Sequence, residues 1–502
     1  MNFLRKYHKW LSIGFSLFII AFALSGIFLN HRETFSGIDL NRGWMAEDYQ
    51  YKNWNNAAVN GSEKIGNDSI LIYGNIGVWL TDTNFSRYTD FNRGFPKGID
   101  NRKVADLLYT SDGKLLAATL FGLFQYNYEK AQWAKISLPI KEKRVVDLLE
   151  KDGKIYVLTR SHLLITTDAQ HFTEQIIPEP EGYDHKIGLF KTLWVIHSGE
   201  IYGLAGKLIV DAVAIIFIFL TITGIILFIN GYRIRSRKKK SLDIQKIKKT
   251  NRWNLKWHNK IGWTTVILLV VTTATGMFLR PPLLAFIGNA KVGKIPFTEL
   301  DTPNPWFDIL RRIEYDSESK IFILSTMDAF YFSEDNFSTP LKKFRYQPPA
   351  SVMGVTVLEK KATNTYLVGS FEGLFLWDYS NGFVFDYIKK QPWQPPVSQS
   401  APIGDFKISG FTEDFGIEEI IFDYSLGAIN LETGRFPAPM TKEIIDKSGM
   451  SLWNFSLEVH TARIYEPIFG IFYILIIPIS GLVILFILIS GTIVWYKKHR
   501  KR

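Results

Sequence analysis

Four long apolar runs alternate with polar stretches along the chain. The runs cover about residues 9–29, 203–230, 261–279 and 464–496, and each is close to or longer than the roughly 20 apolar residues that a helix needs to cross a bilayer. None alternates apolar and polar residues as a barrel strand does, so helices are the structure that satisfies their backbone in lipid. The pattern predicts a membrane α-helical protein with four transmembrane helices.

Lysine and arginine gather near one end of every run. Residues 231–260 contain 12 Lys/Arg against a single acid, Asp243, and further cations flank the first run and follow Trp495. Because positive residues flank the cytoplasmic ends of membrane helices, we expect both termini and the 231–260 segment in the cytoplasm. The two large polar segments then lie on the opposite side. The formal net charge of +11 follows from this topology, and nucleic acid is not an expected partner.

The two halves of the chain repeat each other. Residues 6–8 (Lys-Tyr-His) match 256–258 (Lys-Trp-His), and a Gly-x-Phe-Leu sequence follows 18 residues after each histidine. The second and fourth runs also match, at residues 197–202 with 460–465 and at residues 222–224 with 489–491. We therefore expect a four-helix transmembrane bundle of two repeated halves, related by a pseudo-twofold axis along the membrane normal.

The repeat and the apolar runs together define the predicted domains. Residues 21–23 (Ala-Phe-Ala) have the form of a signal-peptide cleavage site, but the first run has an internal counterpart, so we expect it to remain as a helix. In chain order, the predicted domains are helix 1 (1–31), an outer β-rich domain (32–196), helix 2 (197–232), a basic cytoplasmic loop (233–257), helix 3 (258–280), a second outer β-rich domain (281–459), and helix 4 with a basic tail (460–502).

The two outer segments carry short strand-like runs separated by turn signals. Residues 104–108 and 145–149 each precede an Asp-Gly pair and a second apolar run, which is typical of hairpins about 40 residues apart. About six such units occur, three in each segment. This period is close to one propeller blade, so we predict one composite propeller; two separate β-domains are the alternative, although three blades alone would leave open sheet edges.

Histidines at the ends of the runs are the candidates for chemistry. Five of the nine lie within a few residues of a predicted membrane boundary, and four of these five are equivalent in the repeat; the five are His8, His31, His197, His258 and His460. An interfacial role beside Trp and Tyr is the alternative interpretation. Symmetric ionisable residues at both faces favour a functional site. The other histidines, at 162, 171, 185 and 499, are interpreted as surface residues.

Paired imidazoles from neighbouring helices are the axial ligands that haem iron needs, whereas zinc would need more ligands. We therefore predict two haems. His8 and His258 would hold one near the cytoplasm, and His197 and His460 another near the outer face, where His31 is an alternative ligand. The chain has no cysteine, so attachment would be noncovalent, as in haem b. The 23 residues from His8 to His31 correspond to roughly 35 Å of helix, a layout suited to electron transfer across the membrane.

Other polar and small residues in the runs have simpler interpretations. Lys207 and Asp211 are four residues apart, and a salt bridge between them is predicted. The glycines at 26, 224, 276 and 491 permit close approach of helices or of a porphyrin.

Short motifs around the histidines resemble the PepSY-associated transmembrane family. The resemblance covers about 150 residues, and its motifs stand at residues 7–11 (Tyr-His-Lys-Trp-Leu), 29–31 (Leu-Asn-His), 194–199 (Trp-Val-Ile-His-Ser-Gly) and 457–461 (Leu-Glu-Val-His-Thr). Ser12, Ser198 and Ala462 depart from the family's Gly, Thr and Gly, and the outer segments do not resemble PepSY domains. The histidines themselves are retained.

Relatives in this family include inner-membrane ferric-siderophore reductases with two b-type haems between the helices. The resemblance implies an oxidoreductase of the bacterial inner membrane, with its large domains in the periplasm, that reduces iron chelated by a siderophore. No Gly-rich dinucleotide fingerprint follows a predicted strand, so quinol or a separate cytoplasmic flavoprotein is the expected electron donor. The alternatives are a non-enzymatic sensor or scaffold with a ligand-binding propeller and, less favoured by four helices with few mid-membrane polar residues, a transporter.

Overall fold

The computed structural model describes residues 2–351, 354–395, 404–416, 418–435 and 438–499. The chain forms two compact units, and each unit draws on both halves of the sequence. The helical unit consists of Met1–Phe35, Asp184–Thr302 and Leu452–Arg502, and the sheet unit consists of Ser36–Tyr183 and Pro303–Ser451.

Helices dominate the first unit. In chain order the α-helices of the described residues are α1 (Asn2–Gly14), α2 (Ser16–Asn30), α3 (Arg32–Phe35), α4 (Leu189–Ser198), α5 (Gly203–Lys239), α6 (Gln245–Phe278), α7 (Lys442–Lys447, in the sheet unit), α8 (Leu452–His460), α9 (Glu466–Phe469) and α10 (Ile476–His499). A small antiparallel pair, Lys186–Gly188 with Lys291–Gly293, also belongs to this unit.

Within the described part of the chain, three helical spans are long and apolar enough to cross a membrane. They are Glu200–Lys239, Gln245–Phe278 and Arg463–Lys498. Helices α1 and α2 meet at a 58° bend and make a fourth span if the pair is counted as one. The bend falls at Gly14 and Ser16, the residue types at which helix kinks commonly occur, and the Ser16 hydroxyl donates a hydrogen bond to the Ile13 carbonyl at 2.8 Å.

Several predicted boundaries are corrected by the structure. The predicted loop 233–257 is largely helical, because α5 continues to Lys239 and α6 begins at Gln245. Lys, Arg and Gln are good helix formers, so the basic residues extend the helices beyond the apolar runs. The helical unit also includes residues 184–196 and 281–302, which were predicted as parts of the outer domains 32–196 and 281–459. Apolar periodicity alone did not separate α4 from the strands before it.

The described residues of the sheet unit form six antiparallel sheets of three to five strands. Sheet 1 comprises Gly61–Gly66, Ser69–Gly74, Gly77–Thr81 and Tyr88–Asp90; sheet 2, Val104–Tyr109, Leu115–Thr119, Gly122–Asn127 and Gln132–Ile136; sheet 3, Val145–Lys151, Lys154–Thr159, Leu163–Thr166 and Thr173–Gln175; sheet 4, Leu310–Asp316, Ile321–Thr326, Phe330–Ser333 and Lys342–Lys343; sheet 5, Val355–Ala362, Thr365–Ser370, Gly373–Asp378, Val384–Asp386 and Gln391–Pro392; sheet 6, Ile408–Phe415, Glu418–Asp423 and Gly427–Asn430.

Local turn chemistry explains the hairpins that the sequence predicts. Asp152 and Gly153 connect the first two strands of sheet 3 with φ of 52° and 71°, the left-handed pair that a tight hairpin turn requires. A register shift follows the first paired residue of the first strand in sheets 2 to 6. Such bulges increase strand twist, and their recurrence marks the sheets as repeats of one unit.

The six sheets follow one another in a closed order. The first strand of each sheet contacts the first strand of the next, and the first strand of sheet 6 contacts that of sheet 1. A hydrophobic cluster lies between every two neighbouring sheets: Trp79 and Phe422 are in the cluster between sheets 1 and 6, and Tyr156 and Phe322 in that between sheets 3 and 4. Sheets from both outer segments therefore share one unit, and the alternative of two separate β-domains is wrong. A second two-stranded pair, Asp39–Leu40 with Met450–Ser451, joins the two ends of the unit.

Buried charges connect the first strands of several sheets. Arg312 in sheet 4 donates to Asp147 of sheet 3 at 2.6 Å and to the Thr356 carbonyl of sheet 5 at 2.7 Å, and it lies 3.9 Å from Asp106 of sheet 2. Tyr73 of sheet 1 donates to Asp106 at 3.0 Å. The network thereby ties five of the six sheets together around one guanidinium group.

Replacing Arg312 with methionine is expected to destabilise the sheet unit by about 3–5 kcal/mol, because Asp147 and Asp106 would lose their cation while remaining buried. The measurement is the urea midpoint of the full chain in detergent, followed by the fluorescence of its buried tryptophans. Arg345→Met, in the same unit, is the control and is expected to leave the midpoint unchanged. An unchanged midpoint in Arg312→Met would contradict the prediction.

Candidate functional site

The structure brings four of the predicted histidines together as two pairs in the helical unit. The first pair is His8 of α1 and His258 of α6, whose ring centroids are 6.4 Å apart with their planes at 87°. The second pair is His197 of α4 and His460 of α8, with centroids 5.9 Å apart and planes at 54°. These are the two pairings that the repeat predicts.

The second pair occupies two equivalent corners of the backbone. His197 is followed at the end of α4 by Gly199, and His460 at the end of α8 by Ala462, both in the left-handed region with φ of 79° and 60°. A short 3-10 turn then leads into each membrane span. Gly199 is required there because a Cβ atom would lie 2.2 Å from the Gly206 carbonyl oxygen. In both halves, therefore, the backbone turns at a left-handed residue two positions after the histidine.

Each imidazole is oriented by a backbone carbonyl of another helix. Nδ1 lies 3.0 Å from the Ile487 oxygen in His8, 2.9 Å from the Thr272 oxygen in His197 and 3.0 Å from the Phe22 oxygen in His460; the backbone of Leu220 has the same role for His258. A carbonyl can only accept, so Nδ1 carries the hydrogen and Nε2 presents a lone pair. Within the described residues no hydrogen bond reaches these four Nε2 atoms. This is the tautomer of a metal-binding imidazole.

A hydroxyl group stands three residues after each of these carbonyls. The distances from oxygen to Nδ1 are 3.2 Å for Ser490 and His8, 2.9 Å for Thr223 and His258, 3.4 Å for Thr275 and His197, and 3.0 Å for Ser25 and His460. Each hydroxyl also donates to a carbonyl of its own helix, which leaves its lone pairs facing the imidazole. The carbonyl and the hydroxyl together hold the ring in one rotamer.

A glycine follows each hydroxyl and lies against the imidazole. A Cβ atom on the glycine would come within 2.6 Å of Cε1 of His197 at Gly276, 3.0 Å of His8 at Gly491, 3.3 Å of His460 at Gly26 and 3.8 Å of His258 at Gly224. We call each set of carbonyl, hydroxyl and glycine an imidazole seat. The sequence singled out these four glycines for close approach, and the structure places an imidazole against each of them.

Sequence reasoning missed the hydroxyl residues of the seats. A signal was available, because each membrane segment contains one Ser-Gly or Thr-Gly pair at the seat: Ser25-Gly26, Thr223-Gly224, Thr275-Gly276 and Ser490-Gly491. The first and third pairs occupy equivalent positions in the repeat, as do the second and fourth. Their connection to the histidines depends on helix packing and is not visible along the chain.

Every imidazole is seated by the other half of the chain. His8 and His197 belong to the first half, and their seats lie on α10 and α6 of the second half. His258 and His460 belong to the second half, and their seats lie on α5 and α2 of the first. The two halves are equivalent in this arrangement, because each one supplies the seats for the histidines of the other. Neither half alone can therefore orient its own histidines.

A largely apolar cavity of about 370 Å³ adjoins the first pair, within the usual range for small-molecule sites. It is lined by His8, His258 and side chains such as Phe217, Leu220, Phe228 and Ile487. Trp263 and Trp495 also line it and stack on each other with centroids 4.1 Å apart. The lining is therefore mostly apolar, and an apolar ligand would meet few polar groups there.

His31 lies outside both pairs. Its Nε2 is 2.5 Å from Asp211, and the same carboxylate accepts a hydrogen bond from Asn30 at 3.1 Å. The predicted Lys207–Asp211 salt bridge is wrong, because Asp211 is directed toward α2 and Lys207 instead approaches Glu200 at 3.6 Å. His31, the alternative ligand in the prediction, is therefore held by a carboxylate on α5.

Two of the predicted surface histidines each pair with a single carboxylate. His162 and His171 pair with Glu174 and Asp168 through Nδ1 at 2.6 Å. In the part of the chain that the structure describes, no group of three or more His, Cys, Asp or Glu side chains forms a metal site. The side chain of His499 lies outside the described residues.

Likeness to solved structures is weak. The chain matches extracellular domains of two hybrid two-component systems from B. thetaiotaomicron, with 9% identity and a TM-score of 0.35 in one and 12% and 0.33 in the other. The alignments cover 76% and 78% of this chain but 33% and 39% of those proteins. A computationally designed protein, Ika8, matches at 6% identity and a TM-score of 0.30, over 77% of this chain and 74% of its own. The chain thus spans about a third of the first of these structures, and no curated protein matches it.

A family model gives the clear result. The model of the PepSY-associated TM region matches residues 5–498, which include both histidine pairs, all four imidazole seats and the sheet unit between the membrane segments. The resemblance found in four short motifs thus extends over almost the whole sequence. The chain belongs to the PepSY-associated transmembrane family.

Proposed function

We propose that this membrane protein is a haem-containing reductase that passes electrons across the bilayer to an extracytoplasmic acceptor, ferric iron chelated by a siderophore. The observation that carries the proposal is the arrangement of four imidazoles as two pairs, each with Nδ1 bound to a seat on another helix and Nε2 open.

The separation within each pair supports two shared metals. A metal–imidazole bond is about 2 Å long, and the ring centroid lies about 1 Å farther, so two imidazoles on one metal have centroids about 6 Å apart. The observed values are 6.4 Å and 5.9 Å. Haem iron takes two axial ligands, and the absence of cysteine makes noncovalent haem b the fitting group. His8 with His258 would hold one haem, and His197 with His460 the other.

Bound haem b supplies one-electron transfer. The chain's own residues determine how it is held: the seats keep Nδ1 hydrogen-bonded, which fixes each ring and makes Nε2 a stronger ligand. The aromatic and aliphatic walls beside His8 and His258 would offer an apolar surface to the porphyrin, and two neutral imidazoles would add no charge to an apolar bundle.

The spacing of the pairs supports transfer across the membrane. On the uninterrupted helix α6, His258 of the first pair and Gly276, which contacts His197 of the second, are 18 residues apart, or about 27 Å of helix. The hydrocarbon core of a bilayer is about 30 Å thick. We propose that α1 and α2 form one span, giving four, with the basic ends and the first pair at the cytoplasmic face. Quinol or a cytoplasmic flavoprotein would reduce the first haem.

The sheet unit is proposed as a six-bladed propeller on the extracytoplasmic side of an inner membrane. The closed order of six sheets, with a cluster between every two neighbours, supports this interpretation, because propellers close by contacts between successive blades. The proposed propeller would receive the chelated iron.

Protein purified from haem-replete cells is expected to contain two haems per chain and to show a Soret band and a b-type α-band after dithionite. Mixed with a ferric hydroxamate siderophore, the reduced protein should reoxidise and release Fe(II), which ferrozine traps. The double variant His8→Ala/His197→Ala is the control and should do neither. A colourless wild-type preparation would overturn the proposal that the protein binds haem. Reduced haem that does not react with the chelate would overturn the proposed acceptor.

A further inference from the structure

Two arginines stand about one helical turn beyond the second histidine pair. Arg463 follows His460 by three residues, across the turn at Ala462. Arg280 follows Gly276 by four residues, just beyond the end of α6, and Gly276 is the glycine that contacts His197. Both guanidinium groups therefore belong to the same end of the helical unit as the second pair.

Among the residues that the structure describes, one carboxylate, Glu458, balances the two arginines. Arg463 donates to Glu458 through Nη2, but its Nε is buried without a hydrogen-bond partner. Burial and the nearby positive charge of Arg463 lower the pKa of Arg280, so the two cations lie within electrostatic reach of each other. Within the described residues the Arg280 side chain makes no hydrogen bond. The two guanidinium groups thus outnumber the carboxylate that balances them, and a bound anion would compensate the difference.

The repeat provides an internal comparison, because the positions equivalent to Arg280 and Arg463 in the other half are Asn30 and Glu200. Asn30 donates to Asp211, which His31 also contacts, and Glu200 approaches Lys207 at 3.6 Å. Those positions thus have partners within the chain. The two unbalanced arginines therefore have no counterparts at the equivalent positions of the other half. The histidines and the seats, in contrast, are present in both halves.

We propose that Arg280 and Arg463 bind the carboxylates of the group held by His197 and His460, the propionates of haem b. This inference rests on the proposed function. A guanidinium group matches a carboxylate with two parallel N–H donors, and the Nε of Arg463, which has no hydrogen-bond partner, and the Arg280 side chain supply such donors. The two arginines would fix the rotation of the porphyrin about the iron. The two imidazoles, which are symmetry-related, cannot do so.

The test compares ferric haem with its dimethyl ester, which lacks the two carboxylate charges. Haem-free protein carrying His258→Ala, so that only the second pair remains, is titrated with each compound by absorbance. The protein is expected to bind the free acid about tenfold or more tightly than the ester. Arg280→Gln and Arg463→Gln should each remove most of this preference while leaving ester affinity unchanged, and Arg463→Lys should retain part of it.

Glu200→Gln, at the position equivalent to Arg463, is the matched control and should keep the full preference. Equal affinity for acid and ester before the arginines are changed would overturn the inference and leave the haem proposal standing. Failure of the wild-type chain to bind either compound would overturn both. If the arginine variants bound haem normally but lost affinity for a carboxylate siderophore, the two cations would belong to the binding site of the acceptor. That result would also overturn the inference.

Discussion

Replacing His197 with alanine is expected to reduce the haem content from two to about one per chain, because an axial ligand of the second site is lost. His258→Ala should remove the other haem, and the two changes together should leave the protein colourless. The measurement is the pyridine haemochrome absorbance per mole of purified protein. The reasoning is geometric: the ring centroids within the pairs are 6.4 Å and 5.9 Å apart, close to the separation of about 6 Å expected for two imidazoles on one metal.

His31→Gln is the matched control for these variants. His31 is also at a helix end of the helical unit, but its Nε2 faces Asp211 at 2.5 Å, so its removal should leave two haems with unchanged spectra. If His31→Gln lost a haem and His197→Ala kept both, His31 would be the ligand. That result would contradict the pairing of His197 with His460. An unfolded His197→Ala variant is recognised by a loss of circular dichroism, which haem loss alone does not produce.

Alanine at the four seat glycines is expected to weaken haem binding in a graded order. The distance from the new Cβ to the imidazole is 2.6 Å at Gly276, 3.0 Å at Gly491, 3.3 Å at Gly26 and 3.8 Å at Gly224. Overpacking of this kind typically opposes binding by about 1–3 kcal/mol, or roughly 5- to 150-fold in affinity, and the largest effect belongs to Gly276→Ala. Titration of the four haem-free variants with ferric haem measures the order.

Gly224→Ala is the internal control, because 3.8 Å is an ordinary van der Waals contact. All four changes favour helix formation by a similar amount, about 1 kcal/mol. A difference in haem affinity between the variants is therefore due to contact with the imidazole and not to helix propensity. Equal effects at Gly276 and Gly224, or a larger effect at Gly224, would contradict the proposed role of the seats.

The crossed arrangement of the seats has a consequence for assembly. Hydrogen bonds join residues as distant as His8 and Ser490 or Ser25 and His460, 482 and 435 positions apart. The two halves must therefore pack before any imidazole has its final orientation. A cofactor that binds only the oriented rings would stabilise the folded helical unit by mass action.

The boundaries of the helices were predicted less well than their existence. The apolar content of a run reports what lipid can accommodate, whereas the helix itself continues for as long as its residues tolerate helical geometry. Helix α5 consequently extends to Lys239, beyond the apolar run that ends near residue 230. Helix α4 (Leu189–Ser198) likewise begins before residue 197, the predicted start of its segment, because a short separate helix precedes the membrane span.

The sequence alone determined the membrane segments, the duplication, the six β units and the two histidine pairings. Each of these is encoded by local features: the length of apolar runs, the alternation of strands with Asp-Gly turns, and the matching positions of histidines in the two halves. The motifs also identified the family. Nothing beyond neighbouring residues and their repetition was needed.

Only the tertiary structure decided the seats, the partner of His31 and the closure of the six sheets. A carbonyl, a hydroxyl and a glycine acquire their shared role when an imidazole from another helix packs against them, and Asp211 meets His31 because α2 and α5 are adjacent. Sheet 6 meets sheet 1 across nearly 350 residues. Such contacts depend on the packing of elements that are remote in sequence, and no local pattern encodes which remote surfaces meet.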